Sequence, residues 1–252
     1  MKIITVTNEK GGTGKTATAE ALGAGLQAEG ARVLYIDLDA QGSLSYILQA
    51  DESKPGALEA LARPGEIKQT IQTTKAGAQI IAGKRNLAEA GDILTDKKRA
   101  FRLKEGLQII KKDYDYIIID TPPALGLLTI NALTASDGAI ITAQPDILSK
   151  RGLDQLGQTI EKVKAHNKRL QIYGILLTKY DRRKTLHRQA GEQIGRKAAQ
   201  LGTKTYTATI REGVAVQEAQ AKRQSLLKYA PRSGAAQDYK QFIDEAKGDF
   251  EK

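Results

Sequence analysis

Along this chain, short runs of apolar residues alternate with longer stretches in which apolar positions recur every three or four residues. The short runs fall at 2–8, 32–37, 79–82, 116–120, 138–143 and 171–178, with a weaker one at 205–208. Several are apolar without interruption, as in Tyr116-Ile117-Ile118-Ile119 and Ala139-Ile140-Ile141. A half-solvated strand alternates apolar with polar, whereas a strand buried on both faces reads apolar throughout. The helical pattern occupies 15–29, 97–112, 127–135, 148–167, 186–201 and 235–250. This order of strands and helices predicts a doubly wound α/β fold: a mainly parallel, twisted sheet flanked by helices, with ligands at the carboxyl ends of the strands. The stretch 49–77 shows little periodicity and holds two turn signals, Lys54-Pro55-Gly56 and Arg63-Pro64-Gly65. With no internal repeat and no break in composition, one domain is expected over residues 1–252.

The first strand runs into Asn8-Glu9-Lys10-Gly11-Gly12-Thr13-Gly14-Lys15-Thr16, and a helix follows at once. Glycines at this junction let backbone N–H groups curl around phosphate oxygens, and the helix N-terminus adds partial positive charge. In such a loop Lys15 reaches the β- and γ-phosphates of a nucleotide and the Thr16 hydroxyl binds Mg²⁺. The apolar run at 116–119 ends in Asp120-Thr121-Pro122-Pro123, so a buried strand delivers a carboxylate toward the same Mg²⁺. A third segment, Asp37-Leu38-Asp39-Ala40-Gln41-Gly42, places two carboxylates on one face at the end of the second strand.

Composition narrows the chemistry. There is no cysteine, which excludes disulfides and thiolate-bound metals or clusters, and two histidines make a histidine metal centre improbable. The N-terminus lacks a signal-peptide layout and no apolar run is long enough to span a bilayer, so a cytoplasmic location is expected. Lys and Arg number 39 against 29 Asp and Glu, a net charge of +10, which favours a polyanionic partner such as nucleic acid or an anionic membrane.

Together these motifs resemble the ParA/MinD family of P-loop ATPases, and the resemblance covers nearly the whole chain. The loop is that family's deviant Walker A motif, with Thr13 where valine is usual. Asp37–Gly42 resembles its D-x-D-P-Q-G segment, with Ala40 in place of proline. The resemblance implies ATP and Mg²⁺ as cofactors, with nucleotide contacts from Lys10, Gly11, Gly12, Thr13, Gly14, Lys15, Thr16 and Ala17. It implies that Lys10 crosses a dimer interface to the partner's ATP, that Asp39 orients the attacking water, and that Asp37 supports the Mg²⁺ shell. Thr16, Asp37, Asp39 and Asp120 are therefore the expected metal residues, and Lys10, Lys15 and Asp39 the catalytic ones. Thr178 and Ile210, in Leu176-Leu177-Thr178-Lys179 and Thr209-Ile210-Arg211-Glu212, are expected to border the adenine; the second segment lacks the family's proline and asparagine.

Absence of cysteine excludes the iron-protein branch of that family. The alternative is a MinD-like membrane-associated ATPase that positions cell division, but residues 238–252 carry five acidic side chains, a poor match to an anionic surface, and read as a packing helix. The cations instead gather in the C-terminal half, at Arg182, Arg183, Lys184, Arg188, Arg211, Lys222 and Arg223. These are expected to hold DNA by its phosphates without reading sequence. With Met1 leading straight into a strand, no helix-turn-helix domain is expected ahead of it. The implied activity is a DNA partition ATPase with weak intrinsic turnover, nucleoid-associated and free of stable membrane association. Its expected partners are a second copy of itself, non-specific DNA and a ParB-type centromere-binding protein.

Overall fold

A computed structural model describes residues 1–146 and 149–251. One eight-stranded sheet organises them: β1 (Lys2–Thr7), β2 (Val33–Asp37), β3 (Ile71–Thr73), β4 (Gln79–Ile81), β5 (Tyr116–Asp120), β6 (Gly138–Ala143), β7 (Gln171–Thr178) and β8 (Thr205–Ile210), in the order β3-β4-β2-β5-β1-β6-β7-β8. Every pairing is parallel except β3 with β4. The chain works outward on one side of β1, returns through β5 beside it, and then builds β6 to β8 on the other side. That reversal opens a crevice at the carboxyl end of β1.

The continuous apolar runs have a geometric cause. Side chains alternate between sheet faces, so Ile4, Ile118 and Ile140 join one core, with the helices Lys15–Ala28 and Gly234–Phe250. Their neighbours Ile3, Ile117 and Ile119 join a second core, closed by the helices Arg102–Ile109 and Leu127–Ala135. A third cluster on that second side gathers Ile141 and Ile175 with Leu156 and Ile160 of the helix Ser149–Lys164. Helix Lys15–Ala28 presses close to the sheet: a β-carbon at Gly23 would lie 2.3 Å from the Tyr35 ring.

The expected strands at 116–120, 138–143 and 171–178 and the helix at 127–135 occur within those bounds. Elsewhere the structure departs from the pattern. The stretch 49–77 contains helix Ala57–Ala62, a 3-10 turn over Pro64–Thr70 and the edge strand β3, whose three residues are too few to show a period. The 97–112 pattern shortens to a 3-10 turn, Arg99–Phe101, and helix Arg102–Ile109. The weak strand at 205–208 runs on to Ile210, and two short helices, Val214–Ala221 and Leu226–Tyr229, follow it. Leu148, where the fourth helical pattern is expected to begin, lies outside the described residues, as does Lys252. The final helix buries Tyr239, Phe242 and Phe250 in the core, in keeping with a packing role.

Candidate functional site: a phosphate loop above two buried carboxylates

β1 delivers the chain into residues 8–14, and helix Lys15–Ala28 begins immediately after. Gly12 (φ +73°) and Gly14 (φ +84°) occupy the left-handed region, where a β-carbon is strained. Strands β6 and β7 fasten the loop from behind. The Thr178 hydroxyl donates to the Thr13 carbonyl at 2.7 Å, and the Gln144 amide donates to the Gly12 carbonyl at 2.7 Å. The Asn8 amide donates to the Thr142 carbonyl, while its oxygen accepts the Lys10 N–H at 3.0 Å. Thr13 is fully buried and its hydroxyl pairs with that of Thr142 at 2.9 Å. Threonine at this position thus completes a polar contact that valine could not make.

Lys15 is also buried, and its ammonium donates to the Lys10 carbonyl at 3.0 Å. Burial lowers its pKa, opposed by the charges of Asp120 and Asp39. Lys10 points elsewhere: its ammonium pairs with Asp146 at 2.6 Å, and both side chains stay partly exposed. Asp146 follows β6 at the carboxyl edge of the sheet, the edge where ligands collect, and that position is the one clue to it in the sequence.

The two strand-end carboxylates are register partners, Asp37 on β2 beside Asp120 on β5, and both are fully buried. Burial raises both pKa values, Asp37 to about 6 and Asp120 well above the ordinary carboxylate range, with Asp37 adding to the rise at Asp120. Their surroundings differ. Asp37 accepts from the Asp39 N–H at 3.0 Å with one oxygen, and from the Ser45 N–H and hydroxyl at 2.9 and 2.8 Å with the other. Neither oxygen of Asp120 has a hydrogen-bond partner of normal geometry, although the Thr16 hydroxyl and Lys15 pull its pKa downward. A buried carboxylate with no hydrogen bond of normal geometry, beside a hydroxyl and an ammonium, suits a cation. Among the described residues no group of three or more His, Cys, Asp or Glu forms a protein cage for a metal. Mg²⁺ needs none, since it is commonly held by one or two carboxylates, waters and nucleotide phosphates. Thr16 and Asp120 therefore fit Mg²⁺, and Asp37, expected in its shell, stands beside Asp120 and also accepts donors from its own loop. Asp39 faces the opening, its carboxylate accepting the Gln41 N–H at 2.9 Å.

These groups open on a cleft of about 1150 Å³. Gly11, Gly12, Gly14, Lys15, Thr16, Ala17 and Asp39 line it, together with Thr178 and Ile210. Thr13, Asp37 and Asp120 are buried and do not line it, and partly exposed Lys10 lies outside it. Arg211 and Arg223, expected among the DNA-binding cations, line the cleft too. Arg211 makes a two-pronged pair with buried Asp238, at 2.8 Å to each oxygen. Arg223 (φ +53°) donates to the Tyr46 carbonyl at 2.9 Å and lies over the Tyr46 ring, while Gln49 donates back to the Arg223 carbonyl at 2.9 Å. Arg182, Arg183, Lys184, Arg188 and Lys222 lie off the cleft and are exposed, as Arg211 is within it. Arg183 pairs with Asp181 at 3.0 Å, and Arg182 reaches the Thr207 carbonyl at 3.3 Å.

Residues 1–172 match a family model described as an AAA domain. The sporulation initiation inhibitor protein Soj of Bacillus subtilis is 39% identical, over 94% of this chain and 95% of its own length. The chromosome partitioning protein ParA of Caulobacter vibrioides is 35% identical, over 95% of this chain and 91% of its own. The chain belongs to the ParA/MinD family of P-loop ATPases. Among solved structures, cobyrinic acid a,c-diamide synthase from Mycobacterium smegmatis with bound ATP analog and magnesium is similar at a TM-score of 0.83. It is 31% identical and covers 97% of this chain and 93% of that one. Membership makes this ParA-type chain an ATPase. No helix among the described residues is long and apolar enough to cross a membrane.

Proposed function

We propose that this ParA-type ATPase partitions DNA: ATP with Mg²⁺ assembles a sandwich dimer that holds DNA non-specifically, and hydrolysis, stimulated by a ParB-type partner, releases it. In this reading the Lys15 ammonium and the loop N–H groups bind the phosphates, Thr16 and Asp120 hold the cation, and Asp39 orients the attacking water. The bound cation offsets charge at the transferring phosphoryl group. Lys10 leaves Asp146 and reaches the partner's nucleotide, so hydrolysis waits for the dimer.

The observation that carries the reading is the continuity of β7. Its last residue, Thr178, is bonded to the phosphate loop, and the chain emerging from it becomes the cationic surface segment Arg182, Arg183, Lys184 and Arg188. Nucleotide state and a polyanion-binding surface are thereby joined by a few residues of one chain segment. The Soj and ParA names of the relatives point the same way. Against a membrane-binding alternative, the apolar side of helix Gly234–Phe250 is committed to the core. Gel shift on random-sequence DNA with ATP, ADP or no nucleotide tests the proposal. Retardation with ATP alone is expected; equal retardation in all three states, or none, sinks it, and ATP-dependent pelleting with anionic liposomes would install the membrane reading instead.

A further inference from the structure

A serine outside all three motifs holds the acidic loop of the site in place. Ser45 is buried in the short helix Ser43–Ile47, eight residues after Asp37. Its N–H and hydroxyl both donate to one Asp37 oxygen, at 2.9 and 2.8 Å. The same hydroxyl accepts the Gly83 N–H at 2.8 Å. Gly83 is pressed so close that a β-carbon there would lie 2.7 Å from the Asp39 carbonyl and 2.8 Å from the Asp37 carboxyl carbon. The other Asp37 oxygen accepts the Asp39 N–H at 3.0 Å. Each end of the loop 37–45 is thus tied to the Asp37 carboxylate, and the acidic residue between the ties that faces the cleft is Asp39.

We propose that Ser45 is a positioning residue for ATP hydrolysis. It fixes the Asp37 carboxylate, Asp37 fixes the Asp39 backbone, and Gly83 closes the assembly from behind. The inference rests on the reading of Asp39 as the water-orienting group. Three features favour positioning over plain helix capping. A backbone N–H alone would cap the helix, yet the hydroxyl is used as well. That hydroxyl is a relay, donating to the carboxylate while accepting from Gly83, so its orientation is fixed. And Asp37 has both oxygens turned to its own loop, while neighbouring Asp120 meets the Thr16 hydroxyl and Lys15. Hydrolytic geometry is sensitive to displacements of an ångström or less.

The test is a double-mutant cycle on Ser45→Ala and Asp39→Ala, reading single-site hydrolysis rate, affinity for a fluorescent ATP analogue, and thermal midpoint. Loss of one hydrogen bond to a charged group predicts that S45A lowers kcat about ten- to a hundred-fold. Analogue affinity should stay within about threefold of wild type, because the phosphate loop is untouched. Ser45→Thr, which keeps the hydroxyl, should restore the rate. Adding S45A to D39A should cost nothing further, since both changes act through one carboxylate. Wild-type kcat in S45A, multiplicative losses in the double variant, or parallel loss of affinity and folding would each overturn the proposal. Wild-type turnover in D39A alone would instead remove Asp39 from its role, and this inference with it.

Discussion

Lys15 and Lys10 are five residues apart and in different situations. The first is buried against the loop with its ammonium on a carbonyl; the second is half in water and held by Asp146. Replacing Lys15 by alanine removes the cation that the phosphates meet, so nucleotide affinity should collapse, by well over about a hundredfold, in a titration with labelled ATP. Lys10→Ala should bind ATP normally and fail to turn it over, because its target is the partner's nucleotide. Normal turnover in that variant would leave Lys10 with no more than its contact to Asp146. Glu20 offers a separate measurement. Burial raises its pKa to about 7, and one of its oxygens has no hydrogen-bond partner. The unfolded chain ionises this group near 4.5, whereas the folded chain keeps its proton until about pH 7. Folding is therefore disfavoured progressively as pH rises between those values, by up to about 3 kcal/mol. In urea melts across that range, wild type should lose stability relative to Glu20→Gln; parallel curves would show that Glu20 is not held protonated.

At the scale of elements, helix Lys15–Ala28 carries both the phosphate site and a tight seat on the sheet. Alanine at Gly23 would drive a β-carbon into the Tyr35 ring, and overpacking of this kind costs about 1–3 kcal/mol. Gly23→Ala should therefore lower the denaturant midpoint, whereas Gly195→Ala, with open space around it, should not lower it. The same packing explains which elements are legible in the sequence. Strands β1, β5 and β6 declare themselves because most residues facing the two cores are apolar. β3 pairs antiparallel at the sheet edge for three residues, and Gln72 at its centre is polar though buried. Nothing local distinguishes it from loop. The turn signals around it are accurate punctuation: Gly56 caps helix Ala57–Ala62 and Pro64 opens the 3-10 turn.

For the molecule as a whole, the question is how the cations divide. Arg182, Arg183, Lys184 and Arg188 are candidates for DNA phosphates that lie off the nucleotide cleft, whereas Arg211 and Arg223 line it, Arg211 exposed but paired with Asp238 and Arg223 held at Tyr46. Each DNA phosphate left without its cation should flatten the log–log salt dependence of binding by about 0.9. Replacing Arg182, Arg183 and Lys184 together should flatten it by up to about three units and weaken all sequences alike, leaving ATP affinity intact. Replacing Arg211 and Arg223 should instead disturb ATP binding as well, because Asp238 loses its partner and Tyr46 its stacked guanidinium. If the triple variant keeps its salt slope, this segment does not touch DNA.

The amino-acid order by itself determined the α/β class, the phosphate loop, and the carboxylates at 37, 39 and 120. Each of these is local: a glycine pattern between strand and helix, or a charge ending an apolar run, has its physical consequence within a few residues. Tertiary structure decided what those groups do to one another. Asp37 and Asp120 look alike in sequence, both ending buried strands. Ser45 and the packing of Gly83 turn the first toward its own loop, and the second meets the Thr16 hydroxyl and Lys15 instead. Arg211 and Arg223 likewise read as two more unpaired cations until Asp238 and Tyr46, brought by other elements, meet them. A hydrogen bond depends on where its partner comes to rest, and for these residues the partner arrives from another element.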